Sequence, residues 1–327
     1  MSDGDAKPKF KYYHYDPSKA ANLSFVILFA IVSVGHLFLI VRKKTWYFIP
    51  FLVGCLFEAI GYVGRVIATG QTPNWTLGPF IMQSLLILLA PALMAASVYM
   101  MLGRLVRLLD AHHHSIVRTT WLTKIFVAGD VLSFLTQGAG GGILSNADTK
   151  KQSDLGSNVL LAGLAIQVLF FGLFIITIVI FHIRITKEPT ARSFSVAAPW
   201  RQFILALYAV SFLILVRSVF RTVEYASGQD SVLLGSEIYL LILDGALMLI
   251  CAVILLAYHP SRALAGYKDG VTLESLDSRG PSRGEILPMT APGSPDKHQQ
   301  VPNQPGMPGY QSSGRPSMTG YQGGYAN

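Results

Sequence analysis

Charge is scarce in this sequence. Of its 327 residues only 13% are Asp, Glu, Lys or Arg, while 51% are hydrophobic. Soluble domains carry about 25% charged residues, and the mean hydropathy of +0.45 points the same way. The deficit excludes an ordinary soluble fold and indicates a membrane protein. Cysteine is almost absent: Cys55 and Cys251 both fall in apolar runs, so no disulfide framework is implied. No stretch matches GxxxxGK[ST], which leaves the chain without a recognisable nucleotide-driven motor. No HExxH spacing occurs, and only His36 of the histidines lies well inside an apolar run; His112, His113 and His114 read as a solvated patch. No metal site or cofactor is expected. The last apolar run lacks the lysine that a retinal Schiff base needs. These gaps argue against an enzyme. No cleavable leader is expected either: the first 19 residues are polar and the first apolar run exceeds a signal core.

Long apolar segments are present in number. A helical crossing needs about 20 apolar residues, and runs of that length lie near 20–41, 46–67, 79–102, 121–144, 156–183, 202–225 and 236–258. The expected fold is an all-α membrane protein with seven transmembrane helices. Residues 1–19 form an extracellular N-terminal arm, 20–259 the seven-helix domain, and 260–327 a cytoplasmic tail. The tail is rich in Pro, Gly, Ser and Gln and repeats GYQ at 309–311 and 320–322. It has little to bury and is expected to be disordered.

The net charge of +8 follows topology and does not mark nucleic-acid binding. Arg42, Lys43 and Lys44 follow the first span. Arg104, Arg107, Arg118 and Lys124 follow the third, and Arg184, Lys187, Arg192 and Arg201 the fifth. The opposite loops hold only Lys150 and Lys151. The positive-inside rule therefore places the N-terminus outside and the C-terminus in the cytoplasm. The sequon at Asn74 falls in an outer loop on that orientation, which makes it a glycosylation candidate.

Glu58, Arg65, Asp130, Arg217, Arg221, Glu224, Glu237 and Asp244 lie at membrane depth. A charge at the bilayer centre costs about 2.5–3.5 kcal/mol. Facing lipid, the set would cost on the order of 20 kcal/mol, more than the roughly 5–15 kcal/mol of a typical folded state. The charges are therefore expected to face inward. Glu58 and Arg65, Asp130 and Gln137, Arg217 and Glu224, and Glu237 and Asp244 are each i, i+7, which returns a helix to nearly one face. At about 1.5 Å per residue, Glu58, Arg217 and Asp244 are expected at one level. Arg65, Arg221, Glu224 and Glu237 form a tier nearer the outside, with Glu224 close to Arg65. Gln83, Tyr99 and Gln167 are secondary polar lining. This pattern predicts a charged cavity opening outward, and five carboxylates against three arginines suit a cationic or proton-bearing ligand, or mean that one carboxylate is protonated. Buried pairs that merely fix helix neighbours are the structural alternative. The GAGGG run at 138–142 reads as close helix packing or as a locally unwound segment. Pro91 is expected to kink the third helix.

FEAIGYVGR (57–65), PALMAASVYMMLGR (91–104), DVLSFLTQGAGGG (130–142), RSVFRTVEYASG (217–228) and EIYLLILD (237–244) fall in order on five of the spans. Together they resemble the fungal RTA-like family of lipid-translocating exporters, of the 7-aminocholesterol-resistance and sphingoid long-chain-base exporter type. The resemblance covers residues 20–260. It implies seven spans, a fungal source, the plasma membrane, stress resistance, and an amphiphilic lipid or small molecule as partner. It carries over no binding residues. Two functions follow as expectations. One is translocation or export of amphiphilic lipids such as sphingoid long-chain bases, with movement downhill or coupled to an ion gradient. The other is a seven-span receptor-like sensor of lipid or drug stress that signals through its cytoplasmic loops and tail.

Overall fold

The computed structural model describes residues 17–71, 76–147, 149–195, 200–227, 237–259 and 261. The expected glycosylation site Asn74, the N-terminal arm to residue 16 and the tail from 262 lie outside the described residues. Among the described residues every regular element is helical. Helices α1 (Lys19–Lys43), α2 (Ile49–Thr69) and α3 (Leu77–Leu108) are followed by α4 (Thr119–Ser145), α5 (Lys150–Lys187), the short α6 (Ala191–Ser195) and α7 (Trp200–Ala226). The last span is composite: α8 (Glu237–Leu240), a π-helical turn (Leu241–Ala246), then α9 (Leu247–Ala257). Single 3-10 turns at Trp46–Phe48 and His112–His114 lie in the connections.

Six helical segments are long and apolar enough to cross a bilayer: Lys19–Lys43, Trp46–Thr69, Gly78–Leu108, Lys150–Lys187, Trp200–Ala226 and Glu237–Ala257. Helix α4, the remaining expected span, has 27 residues, about 40 Å at 1.5 Å per residue. It is not among the six. Lys124, Asp130, Gln137 and the GAGGG run dilute its apolar character.

Local signals account for the ends. The Ser18 side chain caps α1 by accepting from the Ala21 N–H. Its other end carries Arg42 and Lys43, opposite the carbonyl pole of the helix, and stops at Lys44 in a left-handed conformation. Pro50 opens α2, where its missing N–H costs nothing. Pro91 sits inside α3, which continues as one helix across it. Leu23, Ile27, Ile31, Val34 and Phe38 form an exposed apolar stripe on α1, the surface that lipid tails would cover.

Small residues let two helix pairs approach closely. On α2, a Cβ at Gly54 would lie 2.8 Å from the Ala90 carbonyl oxygen, and one at Gly61 2.6 Å from Ile87. On α4, a Cβ at Gly140 would lie 2.8 Å from the Gly156 carbonyl oxygen of α5. Lipid tails are as apolar as leucine, so such contacts supply attraction that the hydrophobic effect does not. The GAGGG run is thus helical throughout, and its unwound reading is corrected: Gly140 packs against α5, while Gly138, Gly141 and Gly142 face open space. Gly140→Ala should therefore lose about 1–3 kcal/mol through overpacking, whereas Gly141→Ala should be neutral or gain up to about 1 kcal/mol of helix propensity. Thermal unfolding of the two variants in detergent checks this contrast.

Candidate functional site

The intramembrane charges resolve into distinct groups. Deepest buried is a set shared by α2, α7 and the π turn. Arg217 of α7 forms an ion pair through Nε with Asp244, both side chains being 1% exposed. Its Nη2 also donates to the Ile87 carbonyl of α3 at 2.9 Å. That carbonyl lies within α3 before Pro91, whose missing N–H leaves a carbonyl of the preceding turn without its helical donor. Residue 87 is four positions before Pro91, so the arginine supplies the lost bond. The α2 contribution is Glu58, fully buried, with neither carboxylate oxygen hydrogen-bonded among the described residues.

The backbone around Asp244 is unusual. π turns appear mostly as single interruptions of α-helices and often at functional sites. Here the turn carries Asp244 and Gly245 inward, both buried. A Cβ at Gly245 would collide with the Tyr62 hydroxyl of α2, so glycine lets the two helices meet beside the ion pair. The Tyr62 ring stacks on Phe25 of α1 at 4.9 Å between centroids.

A second group ties the end of α2 to α1 and α8. Arg65 donates from Nη2 to Glu237 at 2.7 Å and from Nε to the Asn22 side chain at 2.8 Å. Asn22 in turn donates to Glu237 at 2.7 Å. The Ser18 N–H donates to the other Glu237 oxygen at 2.6 Å. Glu237 thus receives one charge-assisted and two neutral-donor hydrogen bonds from two other helices. On α7, Arg221 pairs with Glu224 at 2.7 Å, i, i+3 on one helix, and lies over the Tyr225 ring.

A third group lies between α3, α4 and α5. Tyr99 donates to Asp130 at 2.9 Å. Gln137 donates to Ser133 at 2.6 Å and to Gln167 at 3.3 Å, and Ser133 donates to the Gly163 carbonyl. Gln83 is buried on α3 with its Oε1 unpartnered.

The expected tiers correspond only in part to this arrangement. Arg217 and Asp244 pair with each other, and Glu58 is buried on α2 with no ion pair among the described residues. Glu224, expected close to Arg65, has its ion partner Arg221 on its own helix, and Arg65 is held by Glu237 instead. Spacing on one helix orders residues by depth, but the partner depends on helix rotation, which spacing does not contain. Asn22, Ser18 and Tyr62 were not singled out by the sequence reading. Asn22 was detectable, being a lone amide in an apolar run at the depth of the charged tier. Tyr62 was not, because a tyrosine on an apolar helix reads as core.

These features define a polytopic helical integral membrane protein that turns its ion pairs inward. Residues 51–267 match the family model described as RTA1 like protein, and the chain belongs to that family. It is 36% identical over 280 residues to Protein RTA1 of Saccharomyces cerevisiae, covering 78% of this chain and 86% of the relative. Protoporphyrin uptake protein 1 of the same species is 33% identical, covering 74% and 89%. Sphingoid long-chain base transporter RSB1 of Saccharomyces cerevisiae strain Lalvin EC1118 is 25% identical, covering 86% and 79%. No solved structure matches.

Breaking a buried ion pair from one side typically costs about 3–5 kcal/mol, because the remaining charge is stranded. Arg217→Met should therefore destabilise the protein by that order, and adding Asp244→Leu should recover most of the loss. Denaturation of the single and double variants in detergent measures the difference.

Proposed function

We propose that this protein moves amphiphilic lipids across the plasma membrane, with sphingoid long-chain bases as the cargo class. The observation that carries the reading is the charge imbalance of the interior. Three arginines pair with Asp244, Glu237 and Glu224, which leaves Glu58 and Asp130 as buried carboxylates without an ion-pair partner among the described residues. Two carboxylates in excess of the arginines, each able to exchange a proton for an ammonium group, suit a headgroup bearing an amine. The relative named as a sphingoid long-chain base transporter supports the same cargo class. In the closed arrangement Glu58, Arg217 and Asp244 are sealed by their neighbours, so the charged cavity belongs to a second conformation in which these helices part.

In this reading α4 is the seventh span, the N-terminus is outside and the tail is cytoplasmic. Site-directed labelling tests that topology, since the native Cys55 and Cys251 are buried. His113→Cys and Lys150→Cys lie at opposite ends of α4 in exposed positions. A membrane-impermeant maleimide added to intact cells should label Lys150→Cys only, and labelling of both from one side would remove α4 from the spans.

Transport itself is tested in proteoliposomes with a fluorescent sphingoid base. The expected result is saturable movement above that of empty liposomes, reduced at least tenfold by Arg217→Gln. Saturable binding without movement would instead establish a lipid sensor. Unchanged transport in Glu58→Gln, Arg217→Gln and Asp244→Asn would remove the charged path from the mechanism.

A further inference from the structure

Glu58 stands apart from every other membrane-depth carboxylate of the described residues. Glu237 accepts hydrogen bonds from Ser18, Asn22 and Arg65. Asp244 and Glu224 each hold an arginine, and Asp130 accepts from Tyr99. Glu58 is fully buried and neither of its oxygens has a hydrogen-bond partner. The groups that face it are few. From α7 come the guanidiniums of Arg217 and Arg221, and from the π turn the carboxylate of Asp244. The Tyr62 hydroxyl and the Cys55 thiol lie on α2 itself, and the Cys251 thiol on α9. Helix α3 carries no ionisable side chain between 77 and 98, nor does α1 between 20 and 35.

The charges within this group do not balance. Glu58 and Asp244 together carry two negative charges, and the one arginine paired there, Arg217, is committed to Asp244. Arg221 is held by Glu224. An ionised carboxylate left unpaired in a low-dielectric interior is so costly that such a group takes up a proton instead. A metal cation does not meet the need. It would sit against the Arg217 guanidinium, and the site offers far fewer free oxygens than the six to eight that hard cations gather. A proton needs no room and no further ligand.

We propose that Glu58 is a proton-binding site inside the membrane, and that its occupancy is set by which carboxylate holds Arg217. In the arrangement described, Asp244 holds the guanidinium and a Glu58 oxygen holds the proton as a neutral acid. Release breaks that O–H bond and passes the proton to water. Glu58 and Asp244 then compete for one arginine. The exchange of Arg217 between them links protonation of α2 to the position of α7 and of the π turn, whose irregular backbone is suited to shift. This inference goes beyond the transport reading and does not depend on it, since a sensor would hold the same proton.

Infrared spectroscopy of the purified protein reads the proton directly and requires no transport. At neutral pH, wild type minus Glu58→Gln should show the carbonyl band of a protonated carboxylic acid. Gln is the uncharged isostere of that acid and should fold. If it does not, Glu58→Asp, which should move the band without removing it, supplies the same identification. In the Asp244→Asn background Arg217 loses its ion partner, so Glu58 should ionise to pair with it. The difference between Asp244→Asn and Asp244→Asn/Glu58→Gln should then lack the band. A spectrum with no Glu58-dependent band in wild type would overturn the site. A band that survives Asp244→Asn would overturn its link to Arg217.

Discussion

A guanidinium buried among apolar helices is tolerated only while its charge and its donors are answered, and Arg217 finds those answers on two other helices. Asp244 neutralises it from the π turn, and the Ile87 carbonyl of α3 accepts a further bond. The carbonyl is available because Pro91, one turn on, cannot donate to it. The carboxylate is in reach where the last span leaves regular α geometry. A proline in one helix and a π turn in another thus combine to receive a single side chain of a third. Glu58 lies within the field of the same guanidinium and is left without an ion partner.

The rest of the interior follows from that arrangement. Close approach of α2 to α3 at Gly54 and Gly61 brings Glu58 and Arg65 inward together. Arg65 then meets Glu237 and Asn22, which pins the start of α1 and the start of the last span to the end of α2. The α4–α5 pair is built differently, by Gly140, Gly156 and Gly163 against backbone, with Asp130 accepting from the Tyr99 hydroxyl and the Gln137 amide nitrogen donating to Ser133 and Gln167. One part of the bundle is held by ion pairs and another by hydrogen bonds among a carboxyl, amides and hydroxyls. Parting the first requires new partners for charges; parting the second requires only hydrogen bonds.

Much of this was legible before any coordinates. The cost of a charge in lipid required the membrane-depth residues to face inward, and most are buried. The rise of about 1.5 Å per residue assigned Glu58, Arg217 and Asp244 to one level, and of these Arg217 and Asp244 form an ion pair. Depth alone did not name the ion partners: Glu224 pairs with Arg221 on its own helix and Arg65 with Glu237. Glycine content allowed GAGGG to unwind, where the helix runs on and one glycine meets a neighbouring backbone. Asn22 carries no charge, yet a buried amide obeys the same rule and is held by Arg65 and Glu237.

The sequence by itself determined the class of the protein, the helical segments and which residues have to avoid lipid. Those conclusions rest on transfer free energies and on the 3.6-residue period, both of which are local. Only the tertiary structure decided the partners: Asp244 for Arg217, Glu237 for Arg65, Tyr99 for Asp130, and no hydrogen-bond partner for Glu58. Partner choice depends on helix rotation and closest approach. Those are set by small residues meeting a neighbour's backbone and by one irregular turn, and neither is written in the spacing of charges along a single helix.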